Sequence, residues 1–318
     1  MMDVLSDILG AVRISGSVLF QAEFCAPWAL SSPHTQVFAP MFVANARRMI
    51  LFHIIAEGHC YAETEDGARL ELAAGDILVL PYGDALAMAD RPGKKPEPVL
   101  PLLPPLPWEK PPVLRHGGNG DMTRIVCGFL HADEALLHPM LARMPAMLRI
   151  RWGEHQPRLQ GVVSYVIEEA TAARPGAACL LTRLADIMFV EILRQYAEQQ
   201  EAGDNVLAAL RDPVVGRALA LIHREPARPW TVDHLAGEVA ASRSTFAEHF
   251  SRLLGVPPIQ YLANWRIQLA ARRLADTADS TAAIAAQIGY ESEPAFNRAF
   301  KRHTGLPPAA WRRQARRA

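Results

Sequence analysis

Residues 242–261 recur fifty positions later, and this repeat restricts the fold more than any other feature of the chain. Ser242, Phe246, Phe250, Gly255, Pro257, Pro258 and Tyr261 return as Ser292, Phe296, Phe300, Gly305, Pro307, Pro308 and Trp311. Upstream, Leu235, Ala236 and Val239 match Ile284, Ala285 and Ile288 at an offset of forty-nine, so the second copy has one extra residue in its turn. Gapped motifs that recur in register mark one structural unit used twice.

Each copy reads as a helix, a tight turn and a second helix. In the first, Val232, Leu235, Ala236 and Val239 form one buried stripe, Ala240-Ala241 turns, and Ser242 caps the next helix. Phe246, Phe250 and Leu253, at helical spacing, point inward and leave Arg243, Ser244, Ala247 and Glu248 outside. Gly255 ends the helix and Pro257-Pro258 prevents its resumption. In the second copy Gly289-Tyr290 turns, Ser292 caps, and Pro294 falls in the first turn, where its missing N–H costs nothing. There Glu293, Asn297, Arg298 and Lys301 are predicted to face outward. Helix-turn-helix units place the start of their second helix in the major groove of DNA, where Asn pairs with adenine and Arg with guanine. Between the copies, Tyr261–Ala275 is predicted to be a helix with a broad apolar face that fixes the two units together.

The charge distribution agrees. The 318 residues are formally neutral, yet from Asn205 onward 16 Lys and Arg stand against 9 Asp and Glu, a balance of +7, and the rest carries −7. One basic half and one acidic half are expected when a single half meets phosphate.

The acidic half changes character. Residues 1–150 read mainly as β, with strands at 18–24, 69–72, 77–80 and 124–130 bounded by turn residues. Residues 91–120 hold nine prolines and end in Gly-Gly-Asn-Gly, so they are expected to form an extended insertion on the surface. From Leu159 the period becomes helical, Arg174-Pro175-Gly176 interrupts it, and a second helix is predicted over 178–200. This helix pair either forms a dimer interface or packs on the β region. The polar run 198–205 reads as a linker. Domain boundaries are accordingly expected at 1–150, 151–204 and 205–318. No basic leader precedes a long apolar run and no stretch approaches a membrane span, so a cytoplasmic protein without membrane contact is expected.

At the repeat, the chain resembles the AraC family of bacterial transcription regulators, on the run from Ile284 through Gly289-Tyr290-Glu291-Ser292, Phe296, Phe300, Lys301, Gly305 and Pro307-Pro308. The resemblance spans about Asp212 to Arg313. It implies transcription control as a homodimer on double-stranded promoter or operator DNA, with RNA polymerase a candidate partner and base contacts from Arg243, Ser244, Ala247 and Glu248, then Glu293, Asn297 and Arg298. Ala247 is too short to bond a base, and Glu248 stands where a basic residue is common. The N-terminal region resembles cupin-type sensor domains, on Gly75-Asp76, Pro81, Gly83-Asp84 and Leu86. Metal-binding cupins have His where Leu86 stands, and His53, His59 and Glu63 match the other ligand motif poorly. No metal or cofactor is therefore expected, and His53, in an apolar run, reads as a satisfied core histidine.

The fold class expected is α+β multidomain: a cupin-like β-barrel, a connecting helix pair, and an all-α domain with two tandem helix-turn-helix motifs. The barrel is expected to sense a small organic effector or an oxidant. Cys25 and Cys127 match cysteines of related sensors and are candidates for a redox-sensitive pair, with inert burial the alternative. Two enzymatic alternatives, a cupin-type metal enzyme and a DNA-repair transferase, lack their ligand sets: Leu86 removes one ligand, and the four cysteines do not cluster in sequence.

Overall fold

The computed structural model describes residues 4–11, 14–43, 46, 48–108, 110–132, 144–153, 156–172, 174–199 and 206–315. It divides into two compact units. One contains the sheets and the helix pair; the other contains the C-terminal helices together with α1 (Val4–Ala11), the first helix of the chain.

The β unit is built from β1 (Ile14–Cys25), β2 (Ala29–Ser32), the short helix α2 (Ala39–Phe42), β3 (Ile50–Glu57), β4 (His59–Thr64), β5 (Arg69–Ala73), β6 (Asp76–Leu80), β7 (Leu86–Ala89), β8 (Glu97–Pro98), β9 (Val113–Gly117), β10 (Met122–Ala132) and β11 (Leu148–Arg151). Six strands form one sheet in the order β11-β6-β3-β10-β1-β9, and five form the other in the order β5-β4-β7-β2-β8. Alternation along the strands decides what lies between them. Ala22 and Phe24 of β1, Leu51 and Ile55 of β3, and Ile125, Cys127 and Phe129 of β10 share one core with Leu30, Cys60, Ala62, Leu72, Leu86 and Met88 of the second sheet. Gly128 lies on the opposite face from Cys127. A Cβ there would sit 2.1 Å from the Phe52 ring and 2.6 Å from the Ser17 carbonyl, so only glycine fits.

The proline-rich stretch is not a surface insertion. Its β8 pairs in parallel with β2 and its β9 in parallel with β1, and Val99 and Leu114 are buried in the core. The apolar burial of those two side chains, and backbone bonds such as Gln21 N–H to Pro112 C=O at 2.9 Å, hold a segment that proline prevents from forming regular central strand.

Helices α3 (Pro157–Ala172) and α4 (Ala177–Gln199) pack on each other, and α4 packs along β1. Gln21 Nε2 donates to Ala170 O at 2.7 Å and Gln195 Nε2 to Arg151 O at 2.7 Å. The pair therefore packs on the β unit, one of the two arrangements left open by its sequence. Its outer side leaves Tyr165, Leu180 and Ile187 exposed.

The second unit comprises α5 (Val206–Arg211), α6 (Val215–Arg224), α7 (Val232–Glu238), α8 (Arg243–Leu254), α9 (Pro258–Asp276), α10 (Thr281–Gln287), α11 (Glu293–Thr304) and α12 (Pro308–Ala315). Helix α1, assigned by sequence to the first domain, packs here against α6 and α9, with Val4 and Ile8 buried. In the same core His223 of α6 stacks on Trp265 at 4.0 Å and bonds the Tyr261 hydroxyl at 2.9 Å. No helix among the described residues is long and apolar enough to cross a membrane.

Candidate nucleic-acid interface and barrel cavity

The two modules are built by the same local devices. Thr231 and Ser280 cap α7 and α10, accepting from His234 N–H at 3.1 Å and Ala283 N–H at 3.1 Å. Ser242 caps α8 by accepting from Thr245 N–H at 3.2 Å, and Ser292 caps α11 by accepting from Ala295 N–H at 3.4 Å. Each cap is worth about 1 kcal/mol. Phe246, Phe250, Phe296 and Phe300 are fully buried, and each pair meets edgewise or tilted with centroids 5.6 and 5.5 Å apart. Gly255 and Gly305 end α8 and α11 at φ of 73° and 77°, the left-handed conformation that glycine adopts without strain.

The faces left outside by this packing carry the candidate contacts. Arg243, Ser244 and Glu248 are exposed on α8, as are Glu293, Arg298 and Lys301 on α11. Arg243 lies 3.6 Å from Asp233, and Ser244 Oγ lies 3.3 Å from Ser242 Oγ. Asn297 departs from the outward position expected of it: it is half-buried, and its Oδ1 is buried with no hydrogen-bond partner among the described residues. Superposed by the offset of fifty, Arg243 stands where Glu293 does and Glu248 where Arg298 does, so the two helices present opposite charges at both positions.

Helix α9 packs against both modules. Its Arg266, half-buried, donates from Nε to Pro226 O at 2.7 Å and from its guanidinium to Arg228 O at 2.9 Å. The Arg266 guanidinium also approaches Gly289 in the turn of the second module, where a Cβ would meet it at 2.9 Å. Trp311 Nε1 donates to Ala271 O at 3.2 Å, which ties α12 to the same helix. Sequence reading missed Arg266, and the available signal was a charged residue set between the apolar Trp265 and Ile267.

In the β unit a cavity of about 60 Å³ lies between the sheets, walled by Leu19, Phe20, Leu51, Leu86, Phe38 and Phe42 among others, with His53 and Cys127 within the wall. His53 Nδ1 and Cys127 Sγ are 3.1 Å apart. Burial pushes the His53 pKa down to about 4 and the Cys127 thiol well above its ordinary value, so the imidazole is neutral and the thiol protonated. Burial, then the Asp76 carboxylate, pushes Cys60 up to about 12. His53 is thus a core histidine, but not a satisfied one: its Nε2 is buried and has no partner among the described residues. His59 is exposed at the start of β4, and Glu63 pairs with Arg69 at 2.6 Å, so neither joins His53. Among the described residues no three His, Cys, Asp or Glu side chains converge as a metal site.

The paired-cysteine expectation lacks its geometry. In the β1–β10 ladder Cys25 stands opposite Met122 and Cys127 opposite Phe20, five positions apart along β1, or roughly 16 Å of strand. A disulfide needs Cα atoms within about 7 Å. All four cysteines are free thiols.

A cupin family model matches residues 3–198 and a helix-turn-helix domain model matches residues 235–314. A putative AraC-like transcription regulator of Streptomyces lividans is 34% identical over 98% of this chain and 98% of its own length. Another, from Streptomyces antibioticus, is 30% identical over 98% of this chain and 99% of its own. The HTH-type transcriptional regulator AlkR of Acinetobacter baylyi is 27% identical over 99% of this chain and 100% of its own. The chain belongs to the AraC-like transcription regulators. Its cupin-like half precedes an AraC-type DNA-binding domain, and the fifty-residue repeat is that domain's pair of helix-turn-helix modules. In this AraC-like regulator the second helices of the modules are α8 and α11.

Proposed function

We propose that this regulator binds promoter or operator DNA through α8 and α11, and that its cupin-like half senses a small effector and does no catalysis. The observation that carries the reading is the twofold occurrence of one device: a serine-capped helix whose two phenylalanines are buried and whose first turns are exposed, in the half of the chain with a charge of +7. Such helices enter successive major grooves about 34 Å apart. Base contacts are assigned to Arg243, Ser244 and Glu248 on α8 and to Glu293, Asn297 and Arg298 on α11, with Lys301 as a phosphate contact. Asn297 reads a base after its side chain turns outward on docking. An effector is favoured over an oxidant as the signal because the β unit has an apolar cavity and Cys25 and Cys127 do not stand in bridging range of each other.

The test is binding to one operator and to single-base variants of it. Arg298→Ala is expected to lose about 1–3 kcal/mol on the cognate site and to relax preference at one position. Uniform weakening across all variants would reassign Arg298 to the backbone. A homodimer is assigned to the outer side of the helix pair, where Tyr165, Leu180 and Ile187 are exposed. Ile187→Lys is expected to give a monomer in sedimentation velocity, and an unchanged dimer would place the interface elsewhere.

A further inference from the structure

The cavity in the β unit is almost entirely apolar, and one of the side chains that line it has an unmade hydrogen bond. His53 lines it and is more than nine-tenths buried, with Nε2 unpartnered among the described residues. Its other nitrogen faces Cys127 Sγ at 3.1 Å. With the S–H donating to Nδ1, the imidazole proton resides on Nε2. Nε2 is therefore a donor without an acceptor, a costly condition for a buried group.

The wall also restricts what can relieve that condition. A water at Nε2 needs two to four polar partners, and among the described residues the only other polar side chains on the wall are Ser31, Ser32 and the already engaged Cys127. Among the described residues no Lys, Arg, Asp or Glu lines the cavity, so a carboxylate there would be a buried charge without a counter-ion. A hydrocarbon fits the wall but leaves the N–H unpaired. An alcohol pairs the N–H and brings a hydroxyl proton of its own that then needs an acceptor. The requirement is an acceptor-only oxygen on an apolar frame. The volume is several times the roughly 10–15 Å³ that holds one water.

We propose that the cavity binds an apolar carbonyl compound (a ketone, aldehyde, ester or quinone) whose oxygen accepts from His53 Nε2–H. This rests on the reading of the cupin-like half as an effector-binding domain, and it names the chemical class of that effector. Cys127 acts as a positioning residue, holding the tautomer that makes Nε2 a donor.

The experiment uses the full chain and three probes of matched length: 2-heptanone, heptane and heptanoate, each followed by thermal shift and by titration calorimetry. The ketone is expected to bind at least about tenfold more tightly than heptane, and heptanoate not to bind. In His53→Leu the ketone is expected to lose that advantage while heptane binds as well as before. Because removing a core imidazole also perturbs packing, the wild-type protein labelled with ¹⁵N-histidine provides a second readout. One imidazole N–H is expected at Nε2 in the free protein and to shift downfield on adding 2-heptanone. Heptane or heptanoate binding as tightly as the ketone, or an Nε2 that carries no proton, overturns the carbonyl assignment and leaves an effector-binding cavity standing. Absence of any binding by all three probes removes the cavity as an effector site, and the proposal with it.

Discussion

At the level of single residues, the two turns show how one backbone position tolerates different side chains at different cost. Ala240 has φ of 54° and its counterpart Gly289 has φ of 85°. Both lie in the left-handed region, where an L side chain crowds its own carbonyl by about 1–2 kcal/mol. Ala240→Gly relieves that crowding and returns part of the gain as chain entropy, so the DNA-binding domain is expected to gain about 0.5–1 kcal/mol. Gly289→Ala meets a second obstacle, because the new Cβ would lie 2.5 Å from the Ala227 carbonyl oxygen. That substitution is expected to cost roughly 1–3 kcal/mol. Denaturant unfolding of the two variants measures both signs, and equal effects would show that the turns do not differ. The same scale explains what the sequence could not reveal. Both turns were legible, but only the glycine at 289 announced a left-handed backbone; Ala240 carried no such mark. His53 and Cys127 are 74 positions apart and meet only through the β3–β10 register, which no local pattern encodes.

Elements were legible where their periodicity was local. The spacing of the four phenylalanines, the serine caps and the glycine ends gave α8 and α11, and the switch to a helical period gave α3 and α4. The proline-rich stretch was not legible, because Val99 and Leu114 are single apolar residues whose burial depends on parallel pairing with strands far back in the chain. A helical wheel likewise gave the outward side of α11 but not the depth of Asn297. The two recognition helices also differ in charge, and this predicts different roles. On α11, Arg298 has no acidic partner among the described residues, whereas Arg243 on α8 lies 3.6 Å from Asp233 and must leave it to reach DNA. Arg298→Ala is therefore expected to cost more specific affinity than Arg243→Ala on the same operator, within the roughly 1–3 kcal/mol of one bidentate contact. Lys301→Ala is expected to weaken all sequences alike and to reduce the slope of log K against log salt by about 1. Gel-shift titrations across a salt series distinguish the three, and a larger loss for Arg243 would reverse the ranking of the helices.

Across the whole molecule, the two compact units share one liability that neither reveals alone: each buries a neutral histidine. His53 lies in the β unit with its pKa lowered to about 4, and His223 lies in the helical unit with its pKa lowered to about 3, both by burial. A histidine whose folded pKa is depressed binds its proton more readily when unfolded, so lowering pH favours unfolding throughout the interval between the two values. Above about pH 6.5 neither imidazole is protonated in either state and the effect vanishes. Between 6.5 and 4 each unit is expected to lose up to about 1.4 kcal/mol per pH unit, on the order of 3 kcal/mol by pH 4. The depressed carboxyl of Asp212, where burial is outweighed by the Val215 and Val214 N–H groups and His249, contributes only below its ordinary range, so it does not blur this window. His53→Gln and His223→Gln should each flatten the pH dependence of one unit and leave the other unchanged. Calorimetric melting of wild type and both variants at intervals from pH 7.5 to 4.5 makes the assignment. A steep acid loss that survives both substitutions would mean that other groups control the acid stability of both halves.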